Sequence, residues 1–173
     1  VPLQPVKTFR NGESGNGWTN MLIFGDNLQV LKTLLQMKQE GKLKNADGTP
    51  GVRLVYIDPP FGTGDEYSIN KGASAYSAKT MGARFIEFLR KRIIFLREIL
   101  AYDGSIYIRI DYHFGHYIKA IMDEVFSPEN FKNEIVINRF KRQLRGLKQF
   151  NVATDSFFFY SKSEDSIFNE VFR

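Results

Sequence analysis

The run Leu54-Val55-Tyr56-Ile57, apolar and rich in branched and aromatic side chains, passes directly into Asp58-Pro59-Pro60-Phe61 and then into the glycine turn Gly62-Thr63-Gly64. A short apolar run that stops at a turn signal reads as a buried strand. A parallel strand of an α/β sheet delivers its ligand-contacting residues at its carboxyl end, in the crevice where loops leave the sheet. Proline fixes φ and lacks an N–H, and the residue before it is pushed toward extended geometry. Asp58 and Pro59 are therefore held extended, and the Asp58 carboxylate and the Pro59 carbonyl are both able to accept hydrogen bonds from one amino group. An amino nitrogen held in that way is drawn out of conjugation with its ring, which frees its lone pair. Phe61 adds a π-face on which a base can stack, a contact worth about 1–3 kcal/mol. The competing reading of the same four residues is a rigid turn, with Asp58 as a turn acid and Phe61 in the core.

The rest of the chain predicts alternating strands and helices. Asn20 to Phe24 reads as a short apolar strand ending in Gly25-Asp26-Asn27, followed by Leu28, Leu31, Leu34 and Leu35 at helical spacing. Gly41 to Gly51 reads as a loop, and Gly62 to Thr80, rich in Gly, Ser, Lys and Tyr, as a long mobile loop over the end of the Asp58 strand. Ala83 to Ala101 carries an apolar face through Phe85, Phe88, Leu89, Ile93, Leu96 and Ile99, which predicts a core-packing helix. Asp103-Gly104-Ser105 introduces a strand Ile106 to Ile110 that ends in Asp111, and a second helix is expected from His113 to Phe126, stopping before Pro128. Strands follow at Glu134 to Asn138, Asp155 to Ser161 and Ser166 to Phe172, the last two as a hairpin through Lys162 to Asp165.

Strand, Gly-Asp-Asn-Leu, strand, Asp-Pro-Pro-Phe, long helix, Asp-Gly-Ser strand, helix, basic segment and aromatic strands: in that order, over residues 20 to 170, the chain resembles the amino-methyltransferases of DNA. It is most similar to the adenine-N6 group whose Asp-Pro-Pro-Tyr/Phe motif precedes the cofactor motif, including the modification subunits of type III restriction-modification systems. The resemblance implies part of a Rossmann-like α/β fold, a central sheet with flanking helices. It also implies transfer of a methyl group from S-adenosylmethionine to the N6 amino group of adenine flipped out of duplex DNA. Asp58, Pro59, Pro60 and Phe61 match the catalytic motif, with Phe61 in place of the more usual Tyr. Asp26 and Asp58 match positions near the donor, although Asp26 also reads as a helix N-cap, as does Asp111. Adenine is favoured over cytosine-N4 because Asp rather than Ser opens the motif. The remaining alternative is a non-catalytic DNA-binding or assembly subunit. The family's Phe-x-Gly-x-Gly donor motif has no counterpart among these residues, since Phe61-Gly62-Thr63-Gly64 has the wrong spacing. Residues 20–173 are accordingly expected to be the target-base part of a methyltransferase domain, with the donor motif and recognition region beyond 173, and residues 1–19 an N-terminal arm.

Charge and cysteine usage bound the chemistry. The net charge of +5 lies in one stretch: Arg139, Lys141, Arg142, Arg145 and Lys148 stand together without an acid, and elsewhere nineteen bases balance nineteen acids. A basic loop after a sheet strand suits contact with the phosphates of double-stranded DNA. A solvated surface loop is the other reading. These residues contain no cysteine, which excludes a disulfide, a thiolate zinc site and the cysteine attack used in cytosine-C5 methylation, leaving amino-group methylation within the resemblance. His113 and His116 form an i,i+3 pair without a Glu-rich partner motif and read as a solvated helix face rather than metal ligands. No membrane span or secretory pattern is present. The expected setting is the prokaryotic cytoplasm, with DNA as substrate, a restriction subunit as partner and a homodimer as assembly.

Overall fold

The computed structural model describes residues 3–7, 20–59, 81–138 and 154–170. Helix α1 is Asn27–Gln39, strand β1 Val52–Ile57, helix α2 Met81–Ile99, strand β2 Leu100–Ile110, helix α3 Gly115–Phe126, strand β3 Phe131–Asn138 and strand β4 Thr154–Ser161, with a 3-10 turn at Pro128–Asn130. The four strands form one sheet in the order β1-β2-β4-β3. β1 and β2 run parallel, while β4 is antiparallel to both β2 and β3. This is the expected mixed α/β arrangement of a central sheet with flanking helices.

Alternation along the strands sorts their side chains onto two faces. Val55, Ile57, Ile106, Ile108, Ile110, Phe158 and Tyr160 share one face, on which α2 and α3 pack through Leu89, Ile93, Leu96, Ile118, Met122 and Phe126 in a single apolar core. The opposite face carries Leu54, Tyr56, Tyr107, Arg109, Phe157 and Phe159. There the Tyr107 and Phe159 rings stack at 4.4 Å, and Tyr56 lies 5.7 Å from Phe157. Leu54 and Tyr56 are exposed on this face.

Several boundaries depart from the sequence reading: β3 begins at Phe131 rather than Glu134, and α2 spans Met81–Ile99 rather than Ala83 to Ala101. Residues 20–24 form no strand, and Leu22 and Phe24 are fully exposed, because a strand exists only where a neighbour takes its backbone groups and no described strand does so here. Residues 166–170 form no strand either. β2 and β3 already occupy both edges of β4, so the hairpin expected through Lys162 to Asp165 is replaced by the β3–β4 pair. The chain beyond β4 instead crosses the start of β2, with Lys162 N donating to Gly104 O and Ile167 N to Asp103 O. The β2 strand begins at Leu100 rather than Ile106: pairing jumps from Val52↔Leu100 to Leu54↔Ser105, so Asp103-Gly104 sits in an irregularity within the strand instead of before it. Helix α3 starts at Gly115, two residues after the expected His113.

Candidate active site

Asp58 follows the last residue of β1, at the carboxyl edge of the parallel pair. The register Ile57↔Ile108 sets it beside Arg109 of β2. Arg109 Nη1 donates to Asp58 Oδ2 at 2.8 Å, and its Nη2 donates to Asp155 Oδ2 at 2.6 Å. Arg109 is paired with Phe157 on β4, and Asp155, two residues away, is the diagonal neighbour on the same face, within reach of a long side chain. The three groups differ in exposure: the Asp155 side chain is 5% exposed, Arg109 25% and Asp58 39%. A buried acid thus anchors a guanidinium that reaches out to a solvent-facing acid. The hydrogen bond to Asp155 is the largest influence raising the Arg109 pKa, and Asp58 adds to it against the opposing effect of burial. Pro59 is buried just beyond the end of the strand, while Pro60 and Phe61 lie outside the described residues.

Asp26 caps α1: its Oδ1 accepts from Gln29 N at 3.1 Å, which satisfies one of the orphan donors of the first turn. The same carboxylate lies 3.6 Å from Arg92 of α2. Arg92 is a cation on the apolar face of a core helix, buried with its guanidinium 3.3 Å from the Phe88 ring centroid. It donates to Asn27 Oδ1 at 2.6 Å and to Phe88 O at 2.9 Å, so it ties the amino end of α1 to α2. Asp111, read from sequence as an N-cap, does not cap α3, whose N-cap is Phe114 without a side-chain cap hydrogen bond; it serves the turn before the helix instead. Its Oδ1 accepts from His113 N, its Oδ2 lies 2.7 Å from His113 Nδ1, and its carbonyl accepts from Gly115 N. His113 is thereby bound to Asp111, and among the described residues no cluster of three metal-ligating side chains occurs. The basic residues Arg139, Lys141, Arg142, Arg145 and Lys148 lie outside the described residues, between β3 and β4.

Sequence reasoning passed over Arg109 and Asp155. The signal available was a charge inside each of two apolar strands, Ile108-Arg109-Ile110 and Asp155-Ser156-Phe157. Their meeting at Asp58 depends on the order β1-β2-β4, which sequence spacing does not encode.

The chain is 33% identical over 150 residues to the type II methyltransferase M.EcaI of Enterobacter cloacae, covering 87% of this chain and 31% of that protein. It is 28% identical over 160 residues to the EcoP15I Mod subunit of a type III restriction-modification enzyme of Escherichia coli, covering 75% and 22%. The chain therefore spans a third or less of the length of these relatives. In structure, M1.HpyAVI in complex with SAM matches with a TM-score of 0.51 at 16% identity, covering 86% of this chain and 58% of that one. Among the described residues no helix is long and apolar enough to cross a membrane. The sequence pattern of the N6/N4 methyltransferase family, described as DNA methylase, matches residues 52–171, a span that opens on the Asp58 strand and closes after β4, and the chain belongs to that family.

Proposed function

We propose that this chain is the target-base part of an S-adenosylmethionine-dependent DNA methyltransferase acting on the N6 amino group of adenine. The observation that carries the reading is the position of Asp58-Pro59 at the carboxyl end of β1 within the family-matched span. The donor supplies an electrophilic methyl group on a sulfonium. Asp58 and Asp26 are exposed carboxylates, each chemically suited to a cationic group such as the donor's sulfonium or ammonium. Asp58 accepts one N–H of the extruded adenine amino group and the Pro59 carbonyl accepts the other. The two contacts localise the nitrogen lone pair for in-line attack, with a new N–C bond forming as the C–S bond breaks. The extra proton on the product nitrogen leaves to solvent or to the neighbouring carboxylate. Phe61 stacks on the base, and Arg139, Lys141, Arg142, Arg145 and Lys148 contact phosphates.

Adenine is preferred to cytosine because Asp opens the motif and because the similar Mod subunit belongs to a type III system. A restriction subunit is the partner that follows from the same similarity, and homodimerisation and a cytoplasmic setting remain part of the proposal. Asp58→Ala in the complete gene product is expected to lower transfer of a tritiated methyl group into unmethylated DNA by about 10²-fold or more, as loss of a positioned polar group at a reacting centre does. Duplex affinity should change little. Transfer at the wild-type rate would remove Asp58 from the chemistry.

A further inference from the structure

We propose that Arg109 is a positioning residue for this reaction: anchored at Nη2 by the buried Asp155, it grips Asp58 by Oδ2 and so presents Oδ1 to the substrate amino group. The inference rests on the reading of Asp58 as the amino-group acceptor. Asp58 stands at the end of a strand with its side chain 39% exposed. The terminal torsion of an aspartate is broad and roughly two-fold, so an ungripped carboxylate in that position rotates and turns either oxygen to water. A near-attack geometry does not tolerate such freedom, and a misplacement of about 1 Å costs on the order of 10²-fold in rate. The 2.8 Å contact from Arg109 commits Oδ2, and among the described residues no hydrogen bond engages Oδ1.

The second contact makes the first useful. An arginine side chain is long and flexible, and fixing one of its nitrogens to a solvent-facing acid would leave both partners loose. Asp155 belongs to β4, which is flanked by strands on both edges, and its side chain is 5% exposed, so the 2.6 Å bond to Nη2 holds the guanidinium against a rigid part of the sheet. A planar fork can bridge two carboxylates in this way and a single ammonium cannot do so with the same geometry. The cluster of two acids and one base keeps one net negative charge beside the site, which suits a cationic methyl donor. The alternative role, a clasp joining β1, β2 and β4, is separated from positioning by whether the effect of Arg109 passes through Asp58.

The test is single-turnover transfer of a tritiated methyl group from S-adenosylmethionine into unmethylated plasmid DNA by the complete gene product, with folding checked by circular dichroism. Arg109→Met is expected to lower the rate about 10- to 100-fold with donor and DNA affinities retained, Asp155→Asn to fall with it, and Arg109→Lys to lie between. In an Asp58→Ala background, Arg109→Met should cost nothing further, because the group it positions is gone. The same loss in that background would make Arg109 a structural clasp and overturn the proposal, as would a wild-type rate for Arg109→Met. If the methionine variant fails to fold, Arg109→Lys decides, and a wild-type rate there refutes the need for the fork. Should Asp58→Ala itself retain full activity, the reading of Asp58 fails and the role of Arg109 fails with it. An inactive Asp58→Ala beside a fully active Arg109→Met sinks Arg109 alone.

Discussion

Gly51 offers the sharpest test of how the candidate site is held. It precedes β1 with φ at +98°, and a Cβ built on it would stand 2.5 Å from Ile99 O, 2.8 Å from Ala101 N and 3.0 Å from Leu100 C, all backbone atoms where α2 passes into β2. Its own N–H donates to Leu43 O and its carbonyl accepts from Asn45 Nδ2, so the residue cannot rotate away without losing partners. Gly51→Ala therefore meets two costs: about 1–2 kcal/mol for a left-handed L-residue, and about 1–3 kcal/mol for forcing a methyl group into packed backbone. The expected destabilisation is about 2–5 kcal/mol, read as a fall in the urea midpoint by circular dichroism with the slope unchanged. Gly48→Ala is the control. It also has positive φ, +87°, but nothing lies within 4 Å of its built Cβ, so it should lose only the conformational part, about 1–2 kcal/mol. Equal losses at the two positions would refute the close approach of the Gly51 turn to the α2–β2 junction, the packing that sets β1 beside β2 and hence Asp58 beside Arg109.

Two further outcomes follow. Burial, with the Lys38 charge as the next cause, lowers the Lys162 pKa from 10.5 to about 8, so between those values the unfolded chain binds a proton that the folded one does not and stability rises with pH. The difference in urea stability between wild type and Lys162→Met should therefore shift in favour of wild type from pH 8 to 10 and stay flat below about 8; no change across that window would contradict the burial of this amine against Leu100 O, which its Nζ contacts at 2.7 Å. Replacing two of Arg139, Lys141, Arg142, Arg145 and Lys148 with Ala should weaken binding to all duplexes alike and flatten the slope of log K against log salt by about two units, and an unchanged slope would take the segment off the phosphates.

The elements that sequence pattern determined are those whose neighbours are close in the chain. Helix α2 followed from apolar residues at helical spacing, the β1 strand from a branched run stopped by two prolines, and the site's acid from its place at that stop, because periodicity and proline geometry act over a few residues. Asp26 was legible as an N-cap for the same reason. What only the tertiary structure decided is who pairs with whom. The apolar run at 20–24 looks like a strand by composition yet joins no strand ladder among the described residues, and 166–170 loses its hairpin because β2 and β3 take both edges of β4. Arg109 and Asp155 stand far apart in the chain and meet at Asp58 only because the sheet order places β2 between β1 and β4. Hydrogen-bond ladders across a sheet are non-local, and the energy that selects one pairing over another comes from burial of a shared face, which no single stretch of sequence contains.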